Sequence, residues 1–104
     1  MNNLIISGEL VELEPLRNTP AGVPVLSFKL AHTGTVVEAN HPRQIQCDIS
    51  VIAMGDLATM FQTMKLGTQL EVEGFIAPVR KGAQKFRLHA AMIRTVQSNS
   101  NTNS

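Results

Sequence analysis

Hydrophobic and polar positions alternate with a period of two over most of this chain. The alternation is clearest in residues 44–53, where apolar side chains occupy every second position from Ile45 to Ala53. A period of two is typical of β-strands that bury one face against a core. The pattern and the β-branched content of the chain predict five strands, which span residues 4–14, 25–33, 44–53, 68–76 and 85–96.

The period changes between the third and fourth predicted strands. Apolar residues recur at i, i+3, i+4 and i+7 from Leu57 to Met64, which predicts one short amphipathic helix with Asp56 as its N-cap. Prolines and glycine in residues 15–24 predict a first loop, and residues 34–42 are predicted to form a second.

The order of these elements predicts an all-β domain with the OB-fold. An OB-fold is a five-stranded, partly open barrel, and here one short helix lies between strands 3 and 4. An SH3-like or other small barrel is the alternative, but it does not normally carry a helix at that point. Gly8 and Gly74 are expected where strands bend to close the barrel. The domain is predicted to span residues 1–97, and residues 98–104, which are only Ser, Asn and Thr, to form a disordered polar tail.

Composition places the chain among globular proteins with one domain. It has 104 residues, of which 43% are hydrophobic and 16% are charged, so a real core can form. Its N-terminus has no basic segment followed by a long apolar run, and no stretch approaches the ~20 apolar residues that cross a bilayer, so we expect a soluble, cytoplasmic protein. The single cysteine excludes an internal disulfide and suggests no zinc site.

Strand phase also predicts which aromatic and sulfur-containing side chains are buried. Phe28 and Phe86 fall on apolar strand faces and are predicted to belong to the core. Cys47 alternates in phase with Ile45 and Ile49, which predicts a buried structural thiol. Phe75 lies opposite the apolar face of its strand, so it is expected either to be exposed or to lie in a dimer interface.

Charge is distributed unevenly, although the net charge is only +1. Residues 1–16 contain three glutamates and no base, whereas residues 80–94 contain five Lys or Arg residues and no acid. Such a cluster produces a local positive field that a phosphate backbone would sense. The alternative interpretation is a solvated basic edge that protects the sheet from aggregation.

Several short segments, in order across residues 4–93, resemble the bacterial primosomal replication protein N (PriB) family, which is related to single-stranded-DNA-binding protein. They are Ile6–Gly8, Pro15–Arg17, Pro20–Pro24, Arg43–Gln44, Val72–Ile76 and Leu88–Ala90. The resemblance implies a homodimeric OB-fold protein that binds single-stranded DNA and helps the primosomal helicase and other primosome proteins to restart stalled replication.

The chain departs from this family in its aromatic residues. It has no Trp or Tyr, and it carries His41, Pro42 and Gln46 where relatives carry aromatic residues in and just after the loop between strands 2 and 3. Stacking of a base on an aromatic ring contributes about 1–3 kcal/mol in single-strand binding. The affinity for DNA is therefore expected to be chiefly electrostatic and weak.

Seven residues are candidates for contact with nucleic acid, because they lie on or beside the loops that flank the binding face of an OB-fold. Arginine suits this role, since it stays charged and forks onto phosphate. Lys29 is a further candidate. The alternative interpretation is that the basic hairpin between predicted strands 4 and 5 is only solvated and contacts no nucleic acid. The seven are Arg17, His41, Arg43, Arg80, Lys81, Lys85 and Arg87.

Catalysis has no support in the sequence, and no cofactor or metal is predicted. His32, His41 and His89 are far apart, and none pairs with another at metal-ligand spacing. Glu71 and Glu73 share one strand face, which is more typical of a solvated side than of a carboxylate pair. The chain is therefore predicted to be a DNA-binding accessory protein and not an enzyme. The alternatives are a protein-interaction or oligomerisation adaptor with little direct nucleic-acid binding and, with less support, a carbohydrate-binding module.

Overall fold

The strands form where the alternation predicts them, and two of them are several residues longer than predicted. The structure is a computed structural model that describes residues 1–96, so the predicted tail lies outside the described residues. Its elements in chain order are β1 (Leu4–Leu13), β2 (Arg17–Asn18), β3 (Pro24–Glu38), β4 (His41–Met54), α1 (Asp56–Phe61), β5 (Gln69–Pro78) and β6 (Phe86–Thr95).

Five long strands close into a barrel, which confirms the predicted OB-fold architecture. The strand order is β1-β5-β6-β4-β3-β2, and an additional pairing of β1 with β3 closes the ring. The shortest pairing between neighbouring long strands is the parallel one of β4 with β6, where Val51 lies opposite Leu88 and Ile52 opposite His89. The short β2 was not predicted: it lies inside the predicted first loop and pairs with the start of β3.

The barrel closes because β1 pairs with two different strands. Its first half pairs with β5, and from Glu9 onward it pairs with β3, with a bulge after Leu10. A Cβ atom at Gly8 would lie 2.7 Å from the carbonyl oxygen of Ala31, and one at Gly74 only 1.8 Å from that of His89. Both glycines therefore permit close approach of neighbouring strands, and Gly74 also adjoins a bulge in the pairing of β5 with β6.

The core fills the barrel and is capped by α1. Phe28 is 3% exposed, as predicted, and Ala58 of the helix is completely buried. Leu57 and Phe61 pack against the same cluster. The helix is shorter than predicted, and Asp56 is its first residue and not its N-cap: Gly55, with a φ of 73°, occupies that position because the chain turns sharply after β4.

The predicted loop over residues 34–42 is wrong, because β3 and β4 continue through it as a two-stranded ribbon. The pairing extends from Gly34 opposite Ile45 to Glu38 opposite His41. Ala39 and Asn40 close it, with φ values of 52° and 68° that are typical of a tight hairpin turn. The ribbon extends beyond the core, so neither of its faces must be apolar and the sequence shows no alternation there.

The predicted burial of Cys47 is also wrong. Cys47 is exposed and lies opposite His32, where the ribbon joins the barrel. Its neighbours in phase, Ile45 and Ile49, are only half-buried. The alternation correctly shows that Ile45, Cys47 and Ile49 share one face of β4. At Cys47, however, this face is not covered by another part of the described structure.

Strand β6 changes phase part-way along its length. The predicted apolar face was Phe86, Leu88, Ala90 and Met92, but Met92 is exposed and Ile93 is buried in its place. The bulge at Gly74 explains the change, because Glu73 pairs with Met92 while Gly74 pairs with Ala90.

The predicted burial of Phe86 is wrong for a different reason. This residue is 62% exposed because it is the first residue of β6, at the mouth of the barrel, where the core has ended. Ile76 near the end of β5 is exposed at the same mouth.

Candidate nucleic-acid interface

The outer face of β3 and β4 carries a polar strip. Ser27 and Lys29 alternate with buried Leu26 and Phe28, so their side chains point away from the core. Ser50 of β4 lies directly opposite Lys29. This strip forms the floor of a cavity of about 310 Å³, which we call the groove.

The walls of the groove come from segments far apart in the chain. Glu12 and Glu14 line one side at the end of β1, and Arg17 follows in β2. Val79 and Arg87 line the other side at the ends of the β5–β6 loop. The groove therefore brings together two of the predicted residues, Arg17 and Arg87, with Lys29, the further candidate.

Three cations and two acids share the groove. Lys29 Nζ lies 3.9 Å from Glu12 Oε1. Arg17 and Arg87 form no ion pair within residues 1–96, and the Nε atom of Arg87 is buried without a hydrogen-bond partner there. Arginine stays charged and forks onto phosphate, so an anion in the groove would gain charge-assisted contacts with Arg17 and Arg87.

The three other basic residues predicted to contact nucleic acid lie in the loop between β5 and β6, at the rim of the groove. Arg80, Lys81 and Lys85 are all exposed, and none is ion-paired in the described part of the chain. The loop is held by two backbone hydrogen bonds: Val79 N–H donates to the Lys85 carbonyl (2.9 Å), and Ala83 N–H donates to that of Arg80 (3.0 Å). Its charges are thus kept next to Arg87.

Arg43 and His41 lie elsewhere, on the ribbon. Arg43 Nη1 donates to Glu38 Oε1 at 2.5 Å, and the pair lines a separate, open cavity of about 550 Å³ beside Val36 and Val37. His41 is exposed next to the hairpin turn. The structure therefore does not bring these two residues into the groove, and Arg43 has its charge partly compensated by Glu38.

Sequence reasoning missed four polar residues of the groove, namely Glu12, Glu14, Ser27 and Ser50. The acids were noted only as an N-terminal cluster, and nothing in their spacing shows that Glu12 lies opposite Lys29 and that Glu14 N–H donates to the Ser27 carbonyl. No comparable signal marks Phe86 as exposed, because it stands between Lys85 and Arg87 just as buried Phe28 stands between Ser27 and Lys29.

The outer face of β5 and β6 has a different character. The rings of Phe75 and His89 stack with centroids 4.9 Å apart and planes 11° from parallel. Burial, and secondly the charge of Arg87, lower the pKa of His89, so the ring is neutral at pH 7. Phe75 is exposed, which agrees with one of the two outcomes expected for it, and Ile5 and Met92 are exposed on neighbouring strands.

Residues 1–96 contain neither a cluster of metal-binding side chains nor a membrane-spanning helix. No three His, Cys, Asp or Glu side chains come together there in a way that would hold a metal ion. No helix in this part of the chain has the length and apolar character needed to cross a membrane.

Comparison with known proteins identifies the family. A model described as another single-strand binding protein family matches residues 2–92. The replication restart protein PriB of Bordetella pertussis is 44% identical over 96 residues, which cover 92% of this chain and 90% of the relative. The chain belongs to the PriB family. The resemblance seen in the sequence is thereby confirmed.

Solved structures agree with the PriB family assignment. The structure of priB from Ralstonia solanacearum has a TM-score of 0.83 at 31% identity and covers 93% of this chain and 99% of that one. The single-stranded DNA binding protein from Thermus aquaticus has a TM-score of 0.78 at 23% identity, covering 95% of this chain and 52% of that one. The latter likeness shows a shared fold.

The acids of the groove lead to a first prediction. Glu14 lines the groove without an ion pair in residues 1–96, so its charge opposes a phosphate bound there. We expect Glu14→Gln to tighten binding of a short single-stranded oligonucleotide by about two- to fivefold at low salt, and less at high salt because screening weakens the repulsion. Fluorescence anisotropy would measure the change. Glu73→Gln, on the outer face of β5, is the matched control, and equal effects of both variants would contradict the prediction.

Proposed function

We propose that this chain is a single-stranded-DNA-binding accessory protein of replication restart. The observation that carries the proposal is the groove, in which Arg17, Lys29 and Arg87 are assembled from three strands next to a loop with three further cations. The outer face of β3 and β4, the second and third long strands of the barrel, is the surface with which OB-folds bind oligonucleotides. Membership in the PriB family, whose relatives are named replication restart proteins, supports the same role.

The mechanism is binding without catalysis. Phosphates of the strand displace condensed counterions when they contact the basic side chains, and the released ions supply most of the binding free energy. Arginine forks onto phosphate in a defined orientation, so Arg17 and Arg87 would fix the path of the backbone along the groove. The bases carry little of this interaction, and the binding is therefore largely independent of sequence.

The partners proposed for this protein are those that its resemblance to the PriB family implies. We propose that the protein acts in the cytoplasm, where it binds the primosomal helicase and other primosome proteins, stimulates the helicase, and holds the strand near it. An adaptor with little direct DNA binding is the second candidate. This adaptor is favoured by the exposed apolar side chains on the outer face of β1, β5 and β6. These side chains point away from the core and do not line the groove.

The basic loop provides the most direct test of DNA binding. If Lys81 and Lys85 contact phosphates, log K falls with log salt concentration by about 0.7 per contact on a single strand. Replacing both with Ala should weaken binding about equally for different base sequences and make the slope shallower by up to about 1.4. Anisotropy titrations with labelled oligonucleotides at several salt concentrations would measure both quantities.

A control separates this effect from loss of folding. Lys65 is exposed just after α1, so Lys65→Ala should change binding much less. Exposed substitutions usually change stability by less than about 0.5 kcal/mol, so the melting temperature of the double variant should stay close to that of the wild type. An unchanged affinity and slope in the double variant would show that the loop is only solvated and would favour the adaptor.

We also propose a homodimer. Residues 4–8 of β1 pair with β5 on one side only, because pairing with β3 begins at Glu9. An open strand edge invites pairing with an identical edge. Sedimentation at micromolar concentration should therefore give twice the 11.3 kDa mass of one chain. A species of single-chain mass at every concentration tested would refute the dimer.

A further inference from the structure

Phe86 occupies a position that differs from those of the other phenylalanines. The chain has four of them and no Trp or Tyr. Phe28 is buried and Phe61 packs against the core, while Phe75 is stacked on His89 on the outer face of β5 and β6. Only Phe86 is both exposed, at 62%, and adjacent to the basic loop and the groove.

A cavity of about 210 Å³ lies at the mouth of the barrel beside this ring. The two strands β4 and β6 separate there, before their short parallel pairing at Val51 and Leu88. The cavity shares Ser50 and Arg87 with the groove, so the two are adjacent. Its apolar lining is Leu4, Ile49, Ile76, Phe86 and Leu88.

An exposed aromatic ring next to an apolar recess is typical of a site for a flat, partly apolar ring. The neighbouring charges restrict the chemistry of the ligand. Arg87 follows Phe86 directly in the chain, lines both cavities and has a buried Nε donor without a partner in residues 1–96. Asp48 is the one acid on the lining, and an acid beside a base can accept hydrogen bonds from an exocyclic amino group.

We propose that Phe86 is the stacking platform for one base of the bound single strand, and that Arg87 contacts the phosphate next to that base. The proposal deepens and rests on the proposed function. Every base has a π-face, so a single platform of this kind adds affinity with little sequence preference. The Phe86 ring also supplies, at the start of β6, an aromatic contact that this chain lacks at His41, Pro42 and Gln46.

The absence of Trp and Tyr makes the contact directly measurable. Phe86→Trp places one tryptophan in the whole chain, and stacking with a base quenches its emission. Titration with an oligothymidylate should quench this emission strongly, with the same midpoint as anisotropy. Phe75→Trp, a matched variant on the outer face of β5, should show little change at saturation.

A second pair of variants measures the contribution to affinity. Phe86→Leu keeps an apolar side chain but removes the ring, so we expect the affinity to fall by about 5- to 150-fold, as loss of one stacked base would produce. The slope of log K against log salt should not change, because no phosphate contact is removed. Phe86→Trp should retain or raise the affinity, and Phe75→Leu should leave it unchanged.

These outcomes separate the platform from the basic groove. Loss of affinity in the Lys81 and Lys85 double variant, together with unchanged binding by Phe86→Leu, would overturn the platform and leave the DNA-binding function intact. Emission of Phe86→Trp that depends on protein concentration and not on oligonucleotide would also overturn it, since the ring would then be covered by a second copy. An absence of any binding by the wild-type protein would overturn both proposals.

Discussion

The double pairing of β1 is the constraint on which the rest of the structure depends. A single strand that pairs first with β5 and then with β3 must bend, and Gly8 permits the close contact with Ala31 at the bend, while Gly74 permits the contact with His89 at the bulge between β5 and β6. The closed ring buries Leu26, Phe28 and Leu30 on its inner side and leaves Ser27, Lys29 and Ser50 on the outer face of β3 and β4. The same bend places the end of β1 beside Lys29, so the groove is a direct result of barrel closure.

Local charge, and not the total, determines what such a groove can bind. The net charge of +1 is nearly neutral, yet Arg17, Arg87 and the β5–β6 loop carry cations without ion pairs within residues 1–96. Glu12 and Glu14 reduce the attraction at one wall of the groove. For the proposed DNA binding we therefore expect a moderate electrostatic affinity. One aromatic contact at Phe86 would add a substantial part to it and would locate the strand near the barrel mouth.

The sequence predicted the barrel well because each barrel strand has a face that must be apolar. Leu26, Phe28 and Leu30 alternate for that reason, and all three are buried as the pattern requires. The ribbon from Gly34 to Ile45 buries neither face, so periodicity could not reveal it. Phe86 was misjudged because alternation gives the direction of a side chain but not the position at which the core ends.

The grouping of groove residues depends on strand register, which a single sequence does not contain. Lys29 faces Glu12 and Ser50 only because of the particular pairings of β3 with its two neighbours. The most direct test of the central claim is therefore to map the binding face by backbone amide chemical shifts during titration with an oligothymidylate. The largest changes should occur at Ser27, Lys29, Ser50 and Arg87. Changes confined to Ile5, Glu73 and Met92, on the outer face of β1, β5 and β6, would contradict it.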